Sequence, residues 1–394
     1  MKYAWDGIFR HRFGKPDEET NYTKQNDMFP EPKFLPMDIS LVSIGLANPG
    51  KPIDQAVIAG FMQRAHQLDG LEARKLGFLY RKSGISSRYS VLGDFEKADP
   101  EEFTFFAKTK DFEPFPGTKA RMEVFRQTAP QLCEDAVTNC LAKTEIKASE
   151  ITHLILVSCT GMVAPGVELD LMKRLALDDS VERYCVHFMG CYAAFTGLKL
   201  ADKIVRAEPG AKVMLVSVEL CTLHFQKEYV EDNVLANSLF GDGAAAALVM
   251  RSASGLKIKT YLSQVLREGE EDMAWGIGDF GFEMRLSKYI PLLLDQGIQQ
   301  LKEKFEKKFK LSTVDNFAIH PGGKQILQKV QEAFGLPVSV NAHAMEVLSQ
   351  FGNMSSATIL FVLEKMINDE EIQGDILAMG FGPGLTLETL LLEK

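Results

Sequence analysis

From Asp38 onward, apolar runs of strand length alternate with stretches of helical periodicity. The predicted strands are 39–47, 151–159, 183–188, 212–219, 244–250, 257–265, 316–320, 376–381 and 385–392. The predicted helices lie near 53–76, 118–142, 166–176, 191–207, 288–309, 323–334, 343–350 and 355–367. This alternation predicts an α/β protein whose largely parallel sheets are covered by helices.

The chain of 394 residues is longer than one compact core usually allows, so two fused halves are expected. Two buried strands, 153–157 and 317–319, each lead into polar residues and glycine, as the ligand-binding edges of α/β sheets do. We place the boundary within 250–255, which gives halves at 37–250 and 251–394. Residues 1–36 are polar, lack periodicity and are predicted to form an N-terminal extension.

Composition excludes several classes of protein. The net charge of −9 argues against nucleic acid or an anionic membrane as the main partner. No apolar run reaches the ~18 residues of a membrane span, and the N-terminus lacks the pattern of a signal peptide. The six cysteines show neither CxxC pairs nor metal-ligand spacing, so we expect reduced thiols, no metal site and a cytoplasmic protein.

Cys191 is the strongest candidate nucleophile. An apolar, strand-like run ends at Gly190, and a helix-forming run begins directly after the cysteine. A thiol at a helix N-terminus faces unpaired N–H groups and the positive end of the helix dipole, which favour the thiolate. The alternative interpretation is a buried, unreactive thiol, which is the usual fate of a free cysteine.

A cysteine nucleophile requires a base and, for acyl chemistry, donors to an oxyanion. Among the seven histidines, His320 ends an apolar strand and precedes Pro321-Gly322-Gly323, a turn that lets a ligand approach the backbone. Asn353 lies between two helical segments in Phe-Gly-Asn-Met-Ser-Ser-Ala. It is either a donor beside His320 or an ordinary turn and helix cap.

Three segments resemble the catalytic motifs of type III polyketide synthases, the chalcone synthase-like family: Met-Gly-Cys-Tyr-Ala at 189–193, Ala-Ile-His-Pro-Gly-Gly at 318–323 and the asparagine segment at 351–357. Further matches lie at 238–245 and 380–386, and the resemblance extends from about residue 37 to 394. It implies the thiolase-like fold, two related α/β halves in a five-layered αβαβα arrangement, and a homodimer. It also implies acyl-CoA and malonyl-CoA as substrates, no carrier protein and no cofactor.

The resemblance assigns a role to each residue of the triad. The Cys191 thiolate attacks a starter acyl-CoA, and His320 pairs with that thiolate as an imidazolium. His320 and Asn353 then donate to the thioester carbonyl of malonyl-CoA and stabilise the enolate formed by decarboxylation. That enolate attacks the acyl group on Cys191, and the extended chain cyclises to a pyrone, a resorcinol or a related aromatic polyketide.

The resemblance also implies substrate-binding positions. Phe240 matches one family gatekeeper phenylalanine, whereas Met284 replaces the second and makes the throat more deformable, with Phe282 as a candidate to compensate. Cys221 and His224 replace small hydroxyl residues of plant chalcone synthases, and Ala164 replaces a methionine that reaches into the partner's cavity. The space at Ala164 suggests a long or bulky starter. The remaining cavity positions are Thr160, Gly322 and Gly323.

Lys75 and Lys82 match positions where the family binds the phosphates of coenzyme A, while Phe78 replaces an expected arginine between them. The alternative interpretation is a solvated helix face.

Three other functions remain open from the sequence. A ketoacyl-carrier-protein synthase III-like enzyme shares the Cys-His-Asn set but usually carries His-Gln-Ala-Asn where this chain has His320-Pro321-Gly322-Gly323. A non-catalytic thiolase-like subunit that only dimerises would not need an intact triad. A thioesterase would need a group that positions water, which these motifs lack.

Overall fold

The structure is a computed structural model that describes residues 38–287 and 290–394. The predicted N-terminal extension, residues 1–36, lies outside the described residues. The strands are β1 Ile39–Ala47, β2 Ile53–Asp54, β3 Ser87–Arg88, β4 His153–Ser158, β5 Glu182–His187, β6 Val213–Leu220, β7 Asp242–Arg251, β8 Leu256–Val265, β9 Met273–Gly278, β10 Gly281–Leu286, β11 Asn316–Ile319, β12 Asp375–Gly382 and β13 Thr386–Glu393. The helices are α1 Gln55–Ala65, α2 Gly70–Lys82, α3 Thr118–Leu141, α4 Val167–Arg174, α5 Ala193–Ala207, α6 Glu231–Leu239, α7 Ile290–Phe309, α8 Lys324–Phe334, α9 Ala342–Phe351 and α10 Thr358–Asn368.

The main sheet repeats one topology twice. Its nine strands follow the order β11-β12-β13-β8-β1-β7-β6-β4-β5. Outward from the β8–β1 seam, β8-β13-β12-β11 and β1-β7-β6-β4 have the same sequence of pairings, two antiparallel and then one parallel. The seam itself has only two register pairs, Ser40–Lys257 and Leu41–Leu256. On this topology we propose that residues 37–250 and 251–394 are two related units.

The prediction of largely parallel sheets is wrong, because only three of the eight pairings in the main sheet are parallel: β4–β5, β4–β6 and β11–β12. A parallel pair needs a crossover of a dozen or more residues. Only Pro383–Leu385 separate β12 from β13, so these strands must be antiparallel.

Two further differences lie near the site. Residues 53–76, predicted as one helix, form β2, α1 and the start of α2, with a break before Gly70. The antiparallel hairpin β9–β10, which pairs Trp275 with Met284, was not predicted. Its strands are only partly buried, so they carry a weaker apolar signal than the central strands.

Helices on both faces of the sheets form the layers. α5 contacts β4, β6 and β7 of the first half and β13 of the second, and α10 contacts β1, β7 and β11, so both are central. α3 covers β1, β6 and β7 from outside. In the second half, the ring of Phe334 in α8 contacts the rings of Phe305 in α7 and Phe317 in β11. This arrangement brings the N-terminus of α5 close to the ends of β4, β6 and β12.

Candidate active site

Cys191 lies where the sequence predicts it, in a short 3-10 turn, Gly190–Tyr192, directly before α5. Gly190 makes this turn possible, because its φ is +71° and a Cβ there would lie 2.2 Å from Cδ of Pro383. The thiol is buried. The turn therefore presents the sulfur at the helix N-terminus, inside the protein.

Asn353 has a fixed orientation beside this thiol. Its Oδ1 accepts from the backbone N–H of Ser355 at 2.8 Å, so Nδ2 points the other way, 3.9 Å from Sγ of Cys191. The backbone around Asn353 bonds to the segment of the first gatekeeper: Asn353 N–H donates to Leu239 O and Gly241 N–H to Asn353 O, both at 2.9 Å. An amide donor is thus held at the thiol by bonds on its other side.

His320 follows β11 directly, and its backbone N–H donates to Met379 O at 2.8 Å. The side chain is 2% exposed, and neither ring nitrogen has a hydrogen-bond partner among the described residues. Buried polar groups are normally paired, so two free ring nitrogens facing a cavity indicate a group that bonds a ligand.

The three residues line one cavity of about 630 Å³, a volume that includes space open to solvent. The rest of the cavity lining is mostly apolar. It consists of Cys159, Thr160, Gly190, Cys221, Phe240, Met273, Trp275, Met284, Leu286, Gly322, Ile326, Ser355, Phe381 and Pro383. Thiol, imidazole and carboxamide from three remote segments therefore meet around one space, as the motifs predict.

Burial acts against the expected thiolate–imidazolium pair of Cys191 and His320. Burial raises the pKa of the Cys191 thiol to about 11, more than the hydrogen bonds from Ser355 and Asn353 lower it. Burial also lowers the pKa of His320 to about 3. Desolvation penalises the charged form of each group. Here it opposes the effect of the helix N-terminus, so the alternative assignment to the predicted ion pair is a neutral thiol with a neutral imidazole.

This assignment predicts a pH dependence for alkylation of Cys191. Because the thiolate is a minor species well below pKa 11, the rate of reaction with iodoacetamide should rise about tenfold per pH unit between about pH 6 and 9. Peptide mass spectrometry of the labelled protein measures the rate at Cys191 alone. A rate that stays level across this range would instead establish a stable ion pair.

The predicted gatekeepers line the cavity, but the compensating residue does not. Phe240 and Met284 both separate the catalytic cavity from a second cavity of about 470 Å³. Phe282 lines only the second cavity, and its ring stacks on His224 with centroids 4.2 Å apart. Phe282 therefore does not replace the missing phenylalanine at Met284.

The other cavity positions have different surroundings. Thr160 and Cys221 line the catalytic cavity, whereas His224 lines the second one. Both ring nitrogens of His224 form hydrogen bonds within the protein. Nε2–H donates to Thr160 O at 2.8 Å, and Nδ1 accepts from Phe282 N–H at 2.9 Å. Burial lowers its pKa to about 3, which keeps the ring neutral.

Two residues that sequence reasoning missed belong to this site. Trp275 stands between both cavities, and its indole N–H donates to Cys159 O at 2.7 Å. Glu219 is fully buried and accepts from Thr160 Oγ1 at 2.8 Å and from Cys159 N–H at 3.0 Å; burial raises its pKa to about 7. The sequence signal that could have identified Glu219 is a glutamate at the end of an apolar strand.

A further cleft of about 990 Å³ adjoins the catalytic cavity through Gly322 and also contains Gly323 and Lys82 in its wall. Lys324, which the sequence analysis did not select, lines it as well. Lys75 is not among the described residues of this wall, and its ammonium pairs with Glu72 at 2.8 Å. Ala164 is exposed and lies outside the described lining of the catalytic cavity.

Family models give an independent comparison. The chalcone and stilbene synthase N-terminal domain matches residues 37–252, and the C-terminal domain of the same family matches residues 257–394. The chain belongs to the chalcone and stilbene synthase family. It is therefore a type III polyketide synthase-like condensing enzyme, an acyltransferase, as the three motifs predicted.

Individual relatives agree with this family. The alpha-pyrone synthesis polyketide synthase-like protein Pks18 of Mycobacterium tuberculosis is 32% identical over 339 residues, which cover 83% of this chain and 84% of that protein. PKS-I of the brown alga Ectocarpus siliculosus has a similar structure, with a TM-score of 0.84 and 27% identity over 92% of this chain and all (100%) of the other.

The C-terminal type III polyketide synthase domain of Steely1 from Dictyostelium aligns with a TM-score of 0.83 and 26% identity, covering 91% of this chain and 99% of that domain. These neighbours confirm the thiolase-like α/β fold.

No helix within residues 38–287 and 290–394 is long and apolar enough to cross a membrane.

Proposed function

We propose that this enzyme loads a starter acyl group from acyl-CoA onto Cys191 and extends it with malonyl-CoA by decarboxylative Claisen condensation. The observation that carries the proposal is the apolar cavity on which Cys191, His320 and Asn353 meet. In this family a carrier protein is not required, and the proline and glycines after His320 disfavour the ketoacyl-carrier-protein synthase alternative. An intact triad disfavours a purely dimerising subunit.

The loading step begins from the neutral pair. Sγ of Cys191 attacks the thioester carbonyl while its proton moves to a ring nitrogen of His320, and the coenzyme A sulfur leaves with a proton returned by His320. Proton transfer concerted with attack avoids a separated charge pair in a buried, mostly apolar site, where such a pair is costly. Cys191 is left as a thioester, and the imidazole is neutral again.

Extension uses the same donors. An N–H of His320 and Nδ2 of Asn353 would bond the thioester oxygen of malonyl-CoA as carbon dioxide leaves, so that both stabilise the enolate oxygen. The enolate carbon then attacks the acyl carbonyl and the bond to Cys191 breaks. The sulfur leaves as a thiolate and takes up one proton from solvent, and the extended chain remains on coenzyme A. The mostly apolar lining of the cavity strengthens each donor.

We further propose a long or bulky starter and cyclisation to a pyrone, with a resorcinol or related aromatic polyketide as the other route. A long or bulky starter is supported by the short side chain of Ala164, which occupies the family position that reaches into the partner's cavity. The deformable side chain of Met284 at the throat also supports it. The name of the Mycobacterium relative supports the pyrone. The proposal includes a homodimer, a cytoplasmic location and no cofactor beyond the coenzyme A substrates.

Incubation with malonyl-CoA and a panel of acyl-CoA starters, without carrier protein, tests this function. Mass spectrometry of the products should detect polyketides that retain the starter and gain acetate-derived units, with long acyl starters preferred over small aromatic ones. Products from small aromatic starters alone would contradict the proposed starter class. Activity only with acyl carrier protein would support the ketoacyl-carrier-protein synthase alternative.

For the coenzyme A phosphates we propose Lys82 together with Lys324, because both line the cleft that adjoins the catalytic cavity. Replacing either by alanine should raise KM for malonyl-CoA about five- to tenfold with little change in kcat, since a lost charge-assisted contact weakens binding of substrate and transition state alike. Lys75→Ala is the matched control on the same helix as Lys82 and should leave KM unchanged. An effect only in Lys75→Ala would overturn this assignment.

A further inference from the structure

A histidine and two glutamates meet far from the reaction, at the opposite end of α5 from Cys191. His153 begins β4, Glu182 begins the edge strand β5, and Glu208 is the C-terminal cap of α5. Nε2 of His153 lies 3.9 Å from a carboxylate oxygen of Glu182 and 3.8 Å from one of Glu208. The three side-chain atoms lie within 4.8 Å of one another.

The buried histidine is the second observation that marks this cluster as a binding site. His153 is 3% exposed, and its Nε2 has no hydrogen-bond partner among the described residues. At 3.8–3.9 Å, the carboxylates are too far away to accept a hydrogen bond from it. A buried ring nitrogen therefore points, unsatisfied, into the space between two carboxylates.

Thr152 contacts the other ring nitrogen of His153. The Thr152 hydroxyl lies 3.2 Å from Lys212 O and accepts from Lys212 N–H at 2.9 Å. Its oxygen also lies 2.8 Å from Nδ1 of His153. When Nδ1–H donates to this oxygen, Nε2 keeps a lone pair directed toward the two carboxylates and is able to ligate a cation between them.

The local charge also calls for a cation. Glu208 caps the C-terminal end of α5, where the helix dipole is negative, and Glu182 adds a second negative charge. Two basic residues close to Glu208 in sequence are engaged elsewhere: Arg206 pairs with Asp202 at 2.8 Å and Lys212 with Glu150 at 3.1 Å. Both glutamate side chains are more than half exposed, so they can adjust to a ligand.

We propose that His153, Glu182 and Glu208 bind Zn²⁺. Imidazole nitrogen and carboxylate oxygen are ligands that zinc accepts at about 2.0–2.2 Å, which places neighbouring ligand atoms about 3.4 Å apart. The two gaps to His153 close by about half an ångström, and the gap between the two carboxylates, which is at most 4.8 Å, closes by up to about 1.4 Å when the exposed glutamates rotate. Water completes the coordination, and the ion links β4, β5 and the end of α5 without any part in condensation.

The surroundings resemble the outer shell of known zinc sites. Thr152 holds the ligating ring by its other nitrogen, and the Tyr184 hydroxyl donates to Glu182 at 2.8 Å while its ring stacks parallel to that of His153. Such partners fix the orientation of ligands, and their loss typically lowers metal affinity 10- to 100-fold.

Titration calorimetry and thermal unfolding with ZnCl₂ test the site on the full chain after chelator treatment. Zinc should bind with one-to-one stoichiometry and raise Tm, whereas Mg²⁺ should do neither. Glu208→Gln, an exposed change that leaves the fold intact, should weaken binding at least tenfold, as should His153→Gln. Tyr184→Phe, which keeps all three ligands, should weaken it about tenfold.

Two controls separate this site from other zinc ligands. His343→Gln removes a histidine that faces a single carboxylate, Asp369 at 2.9 Å, and should leave zinc affinity unchanged. Cys191→Ala removes the catalytic thiol and should also leave it unchanged. The proposal is overturned if zinc does not bind, if Glu208→Gln and His153→Gln bind as tightly as the unaltered chain, or if Cys191→Ala abolishes binding.

Discussion

Replacing Cys191 by alanine is expected to reduce polyketide formation by about 10⁴-fold or more, because no acyl-enzyme can form without the sulfur. Decarboxylation of malonyl-CoA should persist in this variant, since His320 and Asn353 remain beside the cavity. Product mass spectrometry and release of ¹⁴C-labelled carbon dioxide measure the two steps separately. The combination distinguishes the nucleophile from the groups that stabilise the enolate.

Cys221 offers a matched control for this experiment. It lines the same cavity, but the amide of Asn353 faces Sγ of Cys191, so Cys221 should not carry the acyl group. Cys221→Ala is therefore expected to form the acyl-enzyme from a starter acyl-CoA as the unaltered chain does. If Cys191→Ala retained polyketide synthesis and Cys221→Ala abolished it, the nucleophile would be Cys221.

Replacing Asn353 by alanine is expected to slow malonyl-CoA decarboxylation about 10²- to 10³-fold, which corresponds to about 2.7–4 kcal/mol of lost oxyanion stabilisation. Loading of the starter should continue, because Cys191 and His320 are unchanged. Intact-protein mass spectrometry measures the acyl-enzyme, and carbon dioxide release measures decarboxylation. This pattern is the reverse of the one expected for Cys191→Ala.

The control for Asn353 is another buried amide. Asn341 donates to Leu327 O at 3.2 Å, away from the described lining of the cavity. Asn341→Ala should lower Tm, because a buried hydrogen-bond acceptor loses its partner, yet leave decarboxylation per folded enzyme unchanged. Equal losses of decarboxylation in both variants would mean that Asn353 acts through stability alone.

The sequence predicted the main strands and the meeting of the triad for physical reasons. Central strands such as 153–158 and 213–220 are buried on both faces and therefore read as continuous apolar runs. Cys191 and His320 come after the ends of β5 and β11, and strand ends are where an α/β sheet places its ligands, whereas Asn353 follows helix α9. The three catalytic motifs could then be matched to those of the family by their order along the chain, although long segments separate them.

Other features depend on tertiary structure and were missed. The protonation of Cys191 is set by how deeply the thiol is buried, which local sequence does not report. Lys75 and Lys82 look equivalent on a helix, yet only Lys82 lines the cleft beside the cavity. The β9–β10 hairpin lacks a strong apolar pattern, so the position of Trp275 between two cavities was not predicted.

The most direct test of the proposed mechanism is to incubate the enzyme with a starter acyl-CoA alone and map the modified peptide by tandem mass spectrometry. We expect one acyl group per chain, on the sulfur of Cys191, which malonyl-CoA added afterwards removes as product appears. An acyl group on any other residue, or none under conditions that yield product, would contradict it.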